Sequence, residues 1–66
     1  MKFAEFIIYY DLPVPQQMSE ERRERIAENF FNRLDRTFMH SSMSQDEYDH
    51  QCEHFKEWEK LCDKFR

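Results

Sequence analysis

The segment from Phe3 to Tyr10 restricts the folds open to this chain more than any other feature. Its centre is β-branched and aromatic, which favours a β-strand, and no later segment has a similar pattern. A single strand leaves backbone N–H and C=O groups unpaired, whereas folded proteins pair nearly all of them. We therefore expect this strand to pair with a second copy of the chain or with another protein. The predicted pairing edge consists of Phe6, Ile7, Ile8, Tyr9 and Tyr10.

The same segment also has helical periodicity. A helical face would contain Phe3, Phe6, Ile7 and Tyr10. Periodicity alone leaves strand and helix open, and we prefer the strand because of its residue types. Pro13 and Pro15 end either element and predict an extended linker, because proline disfavours the helical conformation of the residue before it.

Two long amphipathic helices are predicted after the linker. Ser19 is placed to cap the first, and its apolar stripe repeats with a period near that of an α-helix. Ser44 and Glu47 form a capping box at the start of the second. The first stripe contains Ile26, Ala27, Phe30, Phe31, Leu34 and Phe38. The second contains Tyr48, Cys52, Phe55, Trp58, Leu61, Cys62 and Phe65.

The fold class predicted from these elements is mainly α, with a short N-terminal β-strand followed by an antiparallel two-helix hairpin. A short loop between long helices makes them antiparallel neighbours. A chain of 66 residues is near the lower size limit for folding alone, so we expect a homo-oligomer. The single predicted domain, residues 1–66, divides into strand 1–12, proline linker 13–18, helix 19–40, loop 41–44 and helix 45–65.

The composition argues against an enzyme, a cofactor protein and a membrane protein. The chain contains no glycine, so it lacks the loops that cradle phosphates. Its serines between the helices occupy a connector rather than a pocket, and we predict no catalytic residue and no cofactor. No segment approaches the ~20 apolar residues of a membrane span, and residues 1–12 do not have the pattern of an export signal. We expect a cytoplasmic protein.

His50 and His54 have the i, i+4 spacing that lets two imidazoles share a metal ion. Structural zinc sites usually take four Cys or His ligands from two elements, and Cys52 points to the other side of the predicted helix. A third ligand would have to be a carboxylate. We therefore predict no metal site.

An acidic stripe on the second helix is the main candidate for partner binding. It consists of Asp46, Asp49, Glu53 and Glu57. The aromatic residues Tyr48, Trp58 and Phe65 are candidate anchors, because one facing helix cannot cover the whole apolar face. In size, acidity and lack of motifs the chain resembles small accessory proteins of phages and prophages. We therefore predict a non-enzymatic protein-binding regulator, such as a phage-type inhibitor or antirepressor that blocks another protein, for example one that binds DNA.

An arginine stripe on the first helix supports an alternative. It consists of Arg22, Arg25, Arg33 and Arg36. Arginine binds phosphate oxygens well, and the order strand, helix, helix resembles the ribbon-helix-helix repressors. That resemblance implies a nucleic-acid-binding dimer. However, residues 2–10 carry apolar rather than base-reading side chains, and the net charge of −4 argues against broad nucleic-acid binding. A second alternative is a purely structural, oligomerising subunit.

Overall fold

The computed structural model describes residues 2–65 and shows three α-helices in that range. The helices are α1 (Phe3–Tyr9), α2 (Glu20–His40) and α3 (Gln45–Asp63). The mainly helical class predicted from the sequence is confirmed. The predicted N-terminal strand is wrong, because its described residues begin with α1 and no strand occurs within residues 2–65. Met1, the first residue of the predicted strand 1–12, lies outside the described range.

The predicted pairing edge does not exist, since backbone groups from Phe6 to Tyr10 bond within their own segment. The N–H of Tyr10 donates to the carbonyl oxygen of Phe6 at 3.1 Å. Phe6 and Tyr10 are buried and Ile7 is half-buried, whereas Ile8 is 80% exposed and Tyr9 is also exposed. Burial of one helical face against the hairpin outweighs the β-propensity of these residues, which depends on context.

Asp11 ends α1 in a conformation that usually requires glycine. Its φ is 54°, in the left-handed region, where aspartate is one of the tolerated residues. The N–H of Leu12 donates to the carbonyl of Ile7 at 3.0 Å, and the N–H of Asp11 donates to that of Ile8 at 3.2 Å. These two bonds form a Schellman motif, which turns the chain back toward the hairpin.

Serine caps begin both long helices. The Ser19 Oγ accepts a hydrogen bond from the N–H of Arg22 at 3.2 Å, and the Ser44 Oγ accepts one from the N–H of Glu47 at 3.2 Å. Each bond satisfies a backbone donor that has no partner inside the first turn. The helices therefore begin one residue after each predicted cap, while α3 ends at Asp63, before the predicted end at residue 65.

Contacts between α2 and α3 run in antiparallel order. Arg23, near the start of α2, forms an ion pair with Asp63 at the end of α3. Midway, the rings of Phe30 and Phe55 stack with centroids 4.4 Å apart and planes 5° apart. Near the loop, the rings of Phe38 and Tyr48 lie 5.1 Å apart. The two helices therefore form a hairpin with an aromatic seam.

Helix α1 fills the groove on one side of this hairpin. The Phe6 ring lies 5.6 Å from that of Phe30 on α2 and 5.2 Å from that of His54 on α3. Phe6 is fully buried by residues of its own chain, so this face of α1 requires no second copy to cover it. The resulting core consists of Phe6, Tyr10, Phe30, Leu34, Phe55, Trp58 and Cys62. Within residues 2–65, no helix has the length and apolar content to cross a membrane.

Candidate interaction surface

The three predicted aromatic anchors do not share a surface. Trp58 is fully buried and donates its indole N–H to the carbonyl of Pro13 at 2.9 Å, so the prediction that it anchors a partner is wrong. Tyr48 is half-buried against α2, and Phe65 is exposed after the end of α3. Tyr48 and Phe65 are 17 residues apart in sequence, which corresponds to about 25 Å along a helix.

The predicted acidic stripe is exposed on the outer side of α3. Its members are Asp46, Asp49, Glu53 and Glu57. The Asp49 carboxylate accepts a hydrogen bond from the Gln45 amide at 3.1 Å, and Glu57 Oε2 lies 3.7 Å from His54 Nδ1. The structure therefore keeps these carboxylates together, but it separates most of them from the aromatic side chains that were expected to act with them.

The predicted arginine stripe runs along α2, and one of its members, Arg33, lies on the side that faces α1. Its members Arg22, Arg25, Arg33 and Arg36 are all exposed. The Arg33 guanidinium lies 4.8 Å from the centre of the Tyr9 ring and 5.5 Å from that of Tyr10, which are cation–π distances. Arg25 forms an ion pair with Glu21, in which Nη2 of the arginine lies 3.3 Å from Oε1 of the carboxylate.

A different surface, on the other side of the hairpin, combines apolar side chains. Phe31 follows Phe30 by one residue and precedes Arg33 by two, which turns it about 160° away from Arg33 around α2. It is 40% exposed, and its ring lies 5.7 Å from that of Phe55. Met39, farther along α2, is 78% exposed. We call this surface the open face and define it as Phe31, Phe38, Met39, Tyr48 and Cys52.

The loop end of the open face contains a shallow pocket. Its volume is about 330 Å³, and it is lined by Asp35, Phe38, Met39, Gln45 and Tyr48. The Tyr48 hydroxyl donates a hydrogen bond of 2.7 Å to Asp35 Oδ1 across the pocket floor. This bond, followed by the partial burial of the phenol and the repulsion between carboxylate and phenolate, raises the pKa of Tyr48 to about 12. Tyr48 is therefore a neutral hydroxyl at physiological pH.

Cys52 lies one helical turn after Tyr48 and is half-buried. Burial raises the pKa of its thiol, and the nearby Asp49 carboxylate acts in the same direction. A thiolate, rather than a thiol, is the nucleophilic and metal-binding form of cysteine. The Cys52 side chain therefore contributes apolar surface to the open face.

Carboxylates border the open face on both helices. Asp35 lines the pocket, and Glu24 and Glu59 border a second depression that contains Ala27. Glu28 is three residues before Phe31 and Asp49 is three residues before Cys52, a spacing that places each beside its neighbour on the helix surface. We call these five carboxylates the acidic rim: Glu24, Glu28, Asp35, Asp49 and Glu59.

The predicted histidine pair has its members close together, with ring centroids 4.5 Å apart. The ring of His54 also packs 5.8 Å from that of Phe3, in the groove that α1 occupies. Among residues 2–65, no group of three or more His, Cys, Asp or Glu side chains is arranged to hold a metal ion.

Helical periodicity groups Phe31 and Phe38 with the core-facing residues of α2 and therefore did not predict the open face. Two signals in the sequence could have indicated it. Phe31 lies at the edge of that stripe, and Met39 lies outside it. No protein-family model, curated protein or solved structure matches this chain.

Proposed function

We propose that this chain is a small non-enzymatic regulator that binds another protein through the open face. The supporting observation is that a helix covers one groove of the α2–α3 hairpin and not the other. Helix α1 fills one groove, whereas Phe31 and Met39 remain 40% and 78% exposed at the other. A cluster of exposed apolar side chains on a small protein is typical of an interaction site, and aromatic and methionine residues are enriched at interfaces.

In its more specific form, the proposed regulator is an inhibitor or antirepressor of the phage type. It acts in the cytoplasm by covering a surface that its target, such as a DNA-binding protein, needs. Binding is sufficient for this activity.

Affinity capture from the native host, followed by mass spectrometry, tests the proposal. The informative variant is Met39→Asn, because Met39 is 78% exposed and its replacement leaves the core intact. The matched control is Ile8→Asn, which removes an equally exposed apolar side chain from α1. We expect a partner that wild type and Ile8→Asn retain and that Met39→Asn loses. Equal retention by all three proteins would contradict the proposal.

Nucleic-acid binding by the arginine stripe is the second candidate. Its support is that Arg22 and Arg36 are exposed and that no carboxylate within residues 2–65 lies at ion-pair distance from either. A titration of DNA affinity against salt discriminates between the candidates. Binding that weakens steeply with salt supports the arginine stripe, and no binding at about 50 mM salt rejects it.

The third candidate, an oligomerising structural subunit, makes a separate prediction. It requires a stable homo-oligomer in light scattering, with no other protein captured from the host. An oligomer that Met39→Asn dissociates would assign the open face to copies of this chain.

A further inference from the structure

Helix α2 carries opposite charges on its two sides. Arg33 lies over the Tyr9 ring on the α1 side, whereas Asp35, two residues later, is hydrogen-bonded to Tyr48 at the open face. Glu24 and Glu28 precede Asp35 by eleven and seven residues, which are helical spacings that place all three on the same side of α2. The open face is therefore bordered by acids from α2, and the arginine stripe is directed away from it.

Helix α3 adds further negative charge to this border. The acidic rim contains five carboxylates, and Lys56, four residues after Cys52, adds one positive charge on the same side of α3. At the open end of the hairpin, Arg23 and Asp63 neutralise each other in an ion pair. A partner with Lys or Arg beside its apolar contacts is complementary to this surface. A second copy that presented the same face would set carboxylates against carboxylates, which disfavours a symmetric dimer.

The shape of the open face suits a helix. It lies between two antiparallel helices, and on the opposite side of the same hairpin α1 shows that a helix of seven residues fits such a groove. From Phe31 to Met39, α2 spans eight residues, or about 12 Å, which matches about two turns of a bound helix. Helices in such grooves insert apolar residues at i, i+3 or i+4, and i+7.

From this charge and shape we infer that the open face binds a basic amphipathic helix of the partner protein. Its apolar side contacts Phe31, Phe38 and Met39, and its Lys or Arg residues approach the acidic rim. This inference rests on the proposed function, since it specifies the segment that the regulator recognises.

Two synthetic helical peptides with identical leucine positions test the inference on the full chain. One peptide carries Lys and Arg beside the leucines, and the other carries Glu at the same positions. Fluorescence anisotropy is expected to show about tenfold tighter binding of the basic peptide at low salt. In NMR spectra of the labelled protein, the largest amide shifts are expected at Phe31, Met39 and Tyr48. Equal binding of both peptides, or shifts confined to the outer side of α3, would overturn the inference.

Two double charge-reversal variants test whether the basic peptide recognises the acidic rim or responds only to the net charge of the protein. The variant Glu24→Lys/Glu28→Lys reverses two carboxylates of the acidic rim, and Asp46→Lys/Glu53→Lys reverses two on the outer side of α3. Each changes the net charge from −4 to 0. We expect the first pair to weaken basic-peptide binding about tenfold and the second to weaken it much less. Equal weakening would show that the peptide responds only to net charge, and would overturn the inference.

The host partner distinguishes failure of this inference from failure of the proposed function. A captured protein that depends on Met39, but that cross-links to the open face through an extended or acidic segment, overturns the inference and leaves the proposed function standing. Retention of every captured protein by Met39→Asn overturns the proposed function, and the inference with it. A concentration-dependent dimer that Met39→Asn abolishes assigns the open face to a second copy and overturns the inference.

Discussion

The indole N–H of Trp58 donates a hydrogen bond of 2.9 Å to the backbone carbonyl oxygen of Pro13. The bond connects α3 to the linker that follows α1, across 45 residues of sequence. Trp58 is also fully buried beside Phe55, with ring centroids 5.4 Å apart. One side chain therefore both fills the core and fastens the N-terminal segment to the hairpin.

We expect Trp58→Phe to lower the free energy of unfolding by about 2 kcal/mol. The substitution keeps an aromatic ring but removes the donor of a buried hydrogen bond, leaving the Pro13 carbonyl without it. It also reduces the filled volume of the core. Chemical denaturation followed by circular dichroism measures the change. The control is Phe65→Ala, at an exposed aromatic residue, which should alter stability by no more than about 0.5 kcal/mol. Equal effects of both substitutions would contradict the described burial of Trp58.

Phe6→Ala and Ile8→Ala together distinguish a helix from a strand in the N-terminal segment. In α1 the two side chains point in different directions, and Phe6 is buried while Ile8 is exposed. Phe6→Ala should therefore cost about 3 kcal/mol or more, whereas Ile8→Ala should have little effect on stability. In a strand the two residues would share a face. Similar losses for both substitutions in thermal denaturation would support the strand.

The sequence predicted α2 and α3 well because their signals are local. Ser19 and Ser44 mark the helix starts by side-chain capping, and the apolar residues that follow repeat along one face. The N-terminal segment was predicted wrongly because its residue types and its periodicity favour different structures. Tertiary burial of Phe6 against Phe30 and His54 decides between them, and a local pattern does not contain that information. Pro13 and Pro15 indicated that the segment ends, but no glycine follows Tyr10 to mark the left-handed position that Asp11 occupies.

Tyr10→Phe should leave the protein as stable as the wild type or stabilise it by up to about 1 kcal/mol. The Tyr10 hydroxyl is buried and has no hydrogen-bond partner among residues 2–65. Removing a buried polar atom without a partner relieves a desolvation cost. Chemical denaturation of the two proteins measures the difference. A loss greater than about 1 kcal/mol would mean that the hydroxyl makes a favourable contact in solution.

The two tyrosines with raised pKa values should lower stability at alkaline pH, beginning near pH 10. Burial raises the pKa of Tyr10 from 10.0 to about 12, and the hydrogen bond to Asp35 raises that of Tyr48 from 10.0 to about 12. Between these values the unfolded chain releases its phenol protons while the folded chain retains them, so rising pH favours unfolding. Below pH 10 these groups contribute no pH dependence. Denaturation curves recorded across this range measure the effect, and a flat profile would contradict it.

Asp35→Ala tests the raised pKa of Tyr48, which is the open-face contribution to the loss of stability at alkaline pH. The substitution removes both the hydrogen-bond acceptor and the carboxylate charge beside Tyr48, so the pKa of Tyr48 should fall from about 12 toward 10.0. Tyrosinate absorbance in a Tyr9→Phe/Tyr10→Phe background, where Tyr48 is the remaining tyrosine, follows the titration. The control is Asp46→Ala, which removes a carboxylate from the outer side of α3 and should leave the pKa of Tyr48 unchanged. An unchanged titration in Asp35→Ala would exclude the contact between Asp35 and Tyr48.

The candidate site was only partly visible in the sequence. Helical spacing groups the acidic stripe of α3 and the arginine stripe of α2, because such groups depend on local geometry alone, and all members of both stripes are exposed. It could not reveal which apolar residues stay exposed, since that depends on which groove α1 occupies. Trp58 illustrates the difficulty. Its position at the edge of a broad apolar face predicted an exposed residue that could anchor a partner. Its burial involves the linker residue Pro13, which is 45 residues away in sequence.

The arrangement of charge on α2 gives that helix an electric dipole perpendicular to its own axis. Its negative pole lies at the open face, and its positive pole lies beside Tyr9. A cationic molecule diffusing nearby exerts a torque on this dipole, which turns the open face toward the cation before any atoms touch. That field extends about one Debye length, ~8 Å at physiological ionic strength. Added salt should therefore slow the encounter while leaving the lifetime of the complex nearly unchanged.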